Sequence, residues 1–481
     1  MNTDSQLVLV PSPGMGHLVP AVEFAKLLID RHHRLTITLL IITQPSDPTV
    51  GAYTLSLTSS LSFPKRLHFV LLPPLPDPTN SHSLHPSAVL DSRIQDQKPN
   101  VRDAVSKLKS DPYSPRLAGF IVDVFCTAMI DVATEFGVPT IVFFTSGAAF
   151  LRFKLHTHTL WEQEKVDTTA FDLVDSGSEF AIPSFVNRVP VSVFPGISLD
   201  RQWKLFFFNH TSRMKKAKGI IVNTFEELES HAVRSFSKSD FTIYPVGPIL
   251  SGRGDKRTVP KGSDVMQWLD DQPPSSVLFL CFGSRGCFEE EDQVTEIARA
   301  LETSGVPFVW SLRKPPPEGS MEPPSDYSEL EQLSLFPEGF LERTCENGRV
   351  IGWAPQAQIL AHRAIGGFVS HCGWNSILES VYYGVPIATW PLAAEQQLNA
   401  FQLVRELKLG VEICLDYRRG WSSVVSAGRI EKGIKEVMQK ESEVRKKVKL
   451  MSEMSKRALM EGGSSYSCLG RFIDDVLNNR I

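Results

Sequence analysis

Short apolar runs alternate with stretches of helical spacing through the first half of this chain. Residues 6–11 form an apolar strand that ends in a Gly/Pro turn, and a helical pattern follows over 20–30. Further strands are predicted at 35–42, 67–72, 117–123, 139–144 and 219–223, with helices near 127–136 and from 147 onward. Such alternation is the mark of βαβ units in a parallel sheet. The rhythm breaks at Tyr244-Pro245-Val246-Gly247-Pro248 and then at 251–263, a stretch rich in Gly, Lys and Arg that reads as a linker. A second βα series starts at 277–282 and continues through 307–312, 349–353, 366–370 and 386–390, and a last helix is predicted over 464–478. Residues 314–326 are Pro-rich and polar, which predicts an exposed loop. The expected class is α/β: two doubly wound, Rossmann-like domains facing each other across a cleft.

Composition agrees with that picture and removes several others. A chain of 481 residues is too long for one ordinary core. Hydrophobic residues make up 42% and charged residues 22%, enough apolar material to rule out global disorder. The net charge is −4 with both signs mixed, so no basic face for a nucleic acid is expected. Seven scattered cysteines without a Cys-x-x-Cys pair predict neither a disulfide framework nor a zinc site, and they fit a reducing compartment. The longest apolar run, 35–42, is far short of the roughly 20 residues that span a bilayer. The first residues lack the basic region of a signal peptide and no hydrophobic tail closes the chain, so a cytoplasmic protein without membrane insertion is expected. In that compartment the sequon Asn209-His210-Thr211 is a coincidence.

Chemistry concentrates in the 44 residues 353–396, WAPQAQILAHRAIGGFVSHCGWNSILESVYYGVPIATWPLAAEQ. The turn His371-Cys372-Gly373-Trp374-Asn375-Ser376 follows a strand and opens a helix. A helix N-terminus offers free N–H groups and about half a positive charge, which suits a diphosphate. Gly373 lets the backbone come close, and His371, Asn375 and Ser376 can donate to phosphate oxygens. Glu379, one helical turn further in, can grip a diol, and Trp353 at a strand end offers a flat face to a base. Taken singly, each residue also has a plainer reading: Asn375 or Ser376 as a helix cap, the tryptophans as packing, Glu379 as a solvated helix face.

Taken together, the segment resembles the signature box of plant secondary-product glycosyltransferases, the inverting UDP-glycosyltransferases of the GT-B type. It shares their length and the fixed points Trp353, Ala354, Pro355, Gln356, His371, Gly373, Trp374, Asn375, Ser376, Glu379, Pro386, Glu395 and Gln396. The resemblance extends over essentially the whole chain and is strongest to the subgroup acting on flavonoids, other phenolics and terpenoids. It implies that Trp353 stacks on uracil, with the Ala354 backbone pairing to its edge. It further implies that Gln356 and Glu379 hold the ribose, that His371, Asn375 and Ser376 hold the diphosphate with Ser284, and that Trp374, Glu395 and Gln396 bind the sugar. Gln at the last place of the box goes with glucose. The implied organisation is an acceptor domain over 1–250, a linker over 251–263, a UDP-sugar domain over 264–460, and a C-terminal helix in 461–481 that packs back on the first domain. The implied partners are a UDP-sugar and a small acceptor, with a monomer as the default.

The same resemblance singles out two residues of the first domain. His17 closes the loop Pro11-Ser12-Pro13-Gly14-Met15-Gly16-His17, and Asp123 ends a strand at its C-terminal edge. Alone, His17 reads as a turn or capping residue, and Asp123 equally as a helix cap. In the family they are the catalytic base and its partner: His17 takes the proton of the attacking hydroxyl while Asp123 fixes the tautomer and stabilises the imidazolium. No Asp-x-Asp occurs in the chain, so no metal clamp for the diphosphate and no cofactor is expected. Met15, Phe125, Thr145, Phe150 and residues 185–195 are the candidate acceptor wall. Two positions depart from the family pattern: Ala393 stands where a larger side chain, often Tyr, is usual, and is expected to widen the acceptor pocket; Arg285 stands where an apolar residue is common and is expected to face solvent. Two rival classes remain. An NAD-dependent oxidoreductase would need the third glycine of its fingerprint, where Val19 and Pro20 stand. A non-catalytic UDP-sugar binder would not need His17 and Asp123.

Overall fold

The computed structural model describes residues 4–43, 49–59, 64–75, 84–171, 177–236, 241–250, 264–317 and 322–478. The first domain is built on strands β1 (Ser5–Val10), β2 (Leu35–Ile41), β3 (Leu67–Leu71), β4 (Arg116–Asp123) and β5 (Thr140–Phe144). A two-stranded ribbon, β6 (Glu179–Phe180) with β7 (Val189–Pro190), precedes β8 (Gly219–Val222) and β9 (Thr242–Pro245). The seven long strands form one parallel sheet in the order β3-β2-β1-β4-β5-β8-β9. β1, β5 and β8 are buried along their whole length, as expected of a parallel sheet covered by helices on both faces.

The second domain repeats the plan with β10 (Val277–Cys281), β11 (Phe308–Ser311), the ribbon β12 (Arg313–Lys314) with β13 (Ser325–Asp326), then β14 (Gly348–Ile351), β15 (Ile365–Ser370), β16 (Ile387–Thr389) and β17 (Gly410–Glu412). Its sheet runs β14-β11-β10-β15-β16-β17, again all parallel. In each sheet the strand order reverses once, between β1 and β4 and between β10 and β15. Open α/β sheets bind ligands at the carboxyl ends of the strands flanking such a reversal. Both clusters singled out in the sequence lie there: Ser12, His17 and Asp123 after β1 and at the end of β4, Gly283 and His371–Asn375 after β10 and β15.

The final helix, Ser464–Leu477, packs on the first domain. Its Phe472 ring lies 5.3 Å from Tyr244 and 6.3 Å from Phe24, and Asp475 accepts from the Tyr244 hydroxyl at 2.9 Å. The proposed linker, 251–263, lies outside the described residues.

The structure corrects several boundaries. The first helix spans Met15–Arg31, not 20–30, so His17 sits in its first turn and Pro20 inside it. Inside the helix Pro20 forgoes only the bond to Gly16, since it has no backbone N–H to donate. The Tyr244-Pro245 pair belongs to an edge strand, β9, where proline is tolerated. The stretch 314–326 is not a plain loop, because β12 and β13 pair across it.

Candidate active site

Asp123 is 1% exposed, and its carboxylate is fully committed. Oδ1 accepts from the Ser12 hydroxyl and, at 3.1 Å, from the Phe125 backbone N–H; Oδ2 lies 2.9 Å from His17 Nδ1. A carboxylate can only accept, so the proton between them belongs to Nδ1 and the lone pair is left on Nε2, the nitrogen placed to take a proton. The first turn of the helix Met15–Arg31 carries the imidazole, and the edge of the Phe125 ring, 5.3 Å away, limits its rotation. Burial pulls the His17 pKa down, but the Asp123 charge and hydrogen bond, with Glu395 adding to them, outweigh it and the net shift is upward. Glu395 comes from the second domain. Burial raises its own pKa, while the Ser146 hydroxyl, donating at 3.1 Å, and His17 oppose the rise.

Across the cleft, the helix Trp374–Tyr383 begins with Gly373 as N-cap and no side-chain cap. Asn375 and Ser376 therefore lie inside the first turn, and the capping reading fails for both. The free N–H groups of that turn are left for an anion. His371 fills the space between the two strand ends. A Cβ on Gly283, whose φ is +78°, would stand 2.6 Å from His371 Nε2, and one on Gly373 would clash with the same nitrogen. Burial pushes the His371 pKa down to about 4, so the ring is neutral, and its Nδ1 is buried without a hydrogen-bond partner. Ser284 and Arg285 follow Gly283 and are both exposed.

Trp353 is 62% exposed although it is a large apolar side chain, and its backbone N–H is held by Asp326 at 3.0 Å. Gln356 donates to Glu379 at 2.7 Å and to Ser376 at 2.9 Å, which brings the two expected ribose ligands into one hydrogen-bonded group. Buried Ala354 has its carbonyl on the Gln356 N–H at 2.9 Å. Gln396 spends its carbonyl on the N–H groups of Leu392 and Ala393, at 2.8 and 2.9 Å, which leaves its amide NH2 to donate.

The Trp374 side chain faces the first domain. Its indole N–H donates to the Asn223 carbonyl of the first domain at 2.6 Å, and its ring abuts Gly147. The side chain therefore ties the domains together. Beside it Asn223 donates to Asn375 Oδ1 at 3.4 Å.

Apart from Ala393, the expected acceptor residues lie on the first-domain side of the cleft. Thr145 Oγ1 is 3.4 Å from His17 Nδ1, and Phe125 and partly buried Met15 flank the same region. Phe150 is 7% exposed and packs on Phe144 and Phe153. Within residues 185–195, four positions touch the second domain: Phe185 packs on Phe401, Glu406 accepts from the N–H groups of Val186 and Asn187, and Arg418 donates to the Phe194 carbonyl. The helix Arg201–Met214 joins this group, with Phe206 and Phe207 each 5.5 Å from Phe125. The run Trp203-Lys204-Leu205-Phe206-Phe207-Phe208 was its signal in the sequence. Ala393 is exposed at the turn before Glu395.

Comparison with known proteins places this geometry. The family model for UDP-glucoronosyl and UDP-glucosyl transferases matches residues 198–458. A UDP-glucose flavonoid 3-O-glucosyltransferase of Fragaria ananassa is 50% identical, covering 99% of both chains. An anthocyanidin 3-O-glucosyltransferase of Manihot esculenta is 52% identical over 96% of this chain and all of its own. Among solved structures, a transferase of Siraitia grosvenorii in complex with UDP superposes with a TM-score of 0.88 at 46% identity, covering 98% of this chain and 100% of its own. A Medicago truncatula transferase with UDP-glucose gives 0.87 at 39% identity, with 99% of each chain covered.

Proposed function

This chain belongs to the family of UDP-glucuronosyl and UDP-glucosyl transferases, and on that premise we propose that it moves glucose from UDP-glucose to a hydroxyl of a flavonoid or related phenolic. The observation that carries the chemistry is the His17–Asp123 pair. The acceptor hydroxyl gives its proton to His17 Nε2 as its oxygen attacks the anomeric carbon. The bond from that carbon to the diphosphate oxygen breaks on the opposite face, UDP leaves, and an α-linked donor becomes a β-glycoside. Asp123 stabilises the imidazolium that forms, a contribution of about 10²–10⁴ in rate for such a base. The leaving diphosphate carries the developing charge to the uncapped first turn at Trp374–Ser376 and to His371, so no metal is required in this scheme.

The acceptor class rests on the relatives' named activities and on the phenyl-lined wall beside His17. A non-catalytic UDP-sugar binder has no use for a base with an engaged partner, and nothing favours the dinucleotide reading. One chain carries both halves of the site, consistent with action as a monomer. Seven free thiols support a reducing, cytoplasmic setting. Among the described residues no helix is long and apolar enough to cross a membrane.

Turnover of UDP-glucose against a panel of flavonoids, simple phenols and terpenoid alcohols, with EDTA present, tests this reading. Metal-independent β-glucoside is the expected product. UDP binding without product from any acceptor would return the binder.

A further inference from the structure

The residues that follow β5 meet the base and the second domain in succession. Thr145 Oγ1 lies 3.4 Å from His17 Nδ1. The Ser146 hydroxyl donates to Glu395 Oε1 of the second domain at 3.1 Å. Gly147 comes so close to that domain that a Cβ there would stand 2.8 Å from the Trp374 ring. Ala148 and Ala149 then give their N–H groups to Glu229, which also accepts from Gln402 of the second domain. Ser146 is buried, at 8% exposure, so its hydroxyl has little water to turn to instead of Glu395.

Glu395 reaches this bond from an unfavourable turn. Ala394, just before it, stands at φ +55°, in the left-handed region where a Cβ is crowded. Such a conformation persists only where its surroundings hold it. The turn is braced within its own domain: Gln396 accepts from the N–H groups of Leu392 and Ala393, and the Arg419 N–H donates to the Leu392 carbonyl at 3.1 Å. Glu395 is the N-cap residue of the helix Gln396–Phe401, yet its side chain makes no capping bond there. The carboxylate extends across the domain boundary to Ser146, near enough to His17 for its charge to act on the imidazole. A carboxylate can only accept, and its two oxygens have places for about four hydrogen bonds, so Ser146 leaves room on it for hydroxyl donors. The glucosyl group has to lie in this space, because its anomeric carbon is attacked by the oxygen that His17 deprotonates while its diphosphate is held across the cleft.

We propose that Ser146 is a positioning residue for the donor sugar: from the first domain it orients the Glu395 carboxylate toward the hydroxyls of the glucosyl group, so that the sugar, unlike the nucleotide, is read by both domains. This rests on the glucosyl-transfer reading above and adds to it the residue that sets Glu395.

The test is the ratio of the Kd for UDP-glucose to the Kd for UDP, measured by calorimetry without acceptor on wild type, Ser146→Ala, Glu395→Ala and the double variant. UDP lacks the sugar, so the ratio isolates the sugar's share of binding. In Ser146→Ala the ratio should rise about tenfold, the scale of one hydrogen bond to a charged group, with UDP affinity within a factor of about two of wild type. In the Glu395→Ala background the same substitution should change the ratio by less than about twofold, because the group that Ser146 orients is gone. Ser146→Thr keeps the hydroxyl and should recover the wild-type ratio. Equal weakening of UDP and UDP-glucose in Ser146→Ala would reduce the residue to a structural role and overturn the inference, and so would an undiminished effect in the Glu395→Ala background. An unchanged ratio in Ser146→Ala, with glucoside still formed by the wild type, overturns the inference and leaves the glucosyl-transfer reading intact; absence of glucoside from the wild type with every acceptor overturns both.

Discussion

His17 must be neutral to accept a proton, and its surroundings oppose that by raising its pKa above the usual ~6.5 for an imidazole. The pH profile of kcat/KM should therefore rise through a midpoint above 6.5. In Asp123→Asn the charge that raises it is gone, so the midpoint moves down while the maximal rate falls. A profile with the same midpoint in both proteins would show that another group titrates. The sign for stability is the reverse. Because the folded pKa is raised, the His17–Asp123 pair stabilises fully below the unfolded pKa and loses that contribution as pH rises through the folded one. Trp374 gives a second expectation. Trp374→Phe leaves the Asn223 carbonyl without its donor, a loss of about 1–3 kcal/mol that a denaturant titration would read as reduced stability. Ala393→Tyr is expected to narrow the accepted range of phenolics, and an unchanged panel would reject a role for the small side chain.

The donor cradle depends on where two short elements begin. Gly283 sits at φ +78° against His371, so Gly283→Ala adds both backbone strain and a clash. UDP affinity measured by calorimetry should weaken at least tenfold; unchanged affinity would place the diphosphate elsewhere. Elements of this domain were legible in the sequence because strands buried on both faces leave continuous apolar runs, and because the helix after β15 is announced by Gly373. Others were not. β17 has three residues and the ribbons two per strand, too few for a period to show. The helix Arg201–Met214 buries Lys204 and His210 along with its phenyl groups, so its sequence reads as mixed rather than amphipathic. The residues named for the dyad and the cradle came from the resemblance, and the structure brings His17 beside Asp123 and Gln356 beside Glu379. The role of the Trp374 indole was not legible, because its partner is a backbone carbonyl about 150 residues away, at Asn223.

At the scale of the whole molecule, the two domains meet through a buried carboxylate. Glu229 accepts from the N–H groups of Ala148 and Ala149 at 2.7 and 2.9 Å, at the start of the helix Ala148–Thr159, and from Gln402 of the second domain at 2.9 Å. A carboxylate suits the positive end of that helix. The same interface carries the Trp374–Asn223 bond, the Phe185–Phe401 contact and the Ser146–Glu395 bond that brings Glu395 toward His17. Glu229→Ala should cost roughly 2–3 kcal/mol by removing hydrogen bonds to a charged group. It should also lower turnover more than UDP affinity, since the donor cradle belongs to one domain and the reaction to both. Equal losses in both would show that the interface serves only stability.

The claim on which the rest depends is that His17 is the base and does not hold the donor. The direct measurement is kcat/KM with UDP-glucose and a flavonol for wild type and His17→Ala, with UDP affinity determined on both proteins. The account predicts turnover lower by about 10²–10⁴ and UDP affinity within a factor of about two. Turnover within a few-fold of wild type, or a loss explained by weaker UDP binding, would contradict it.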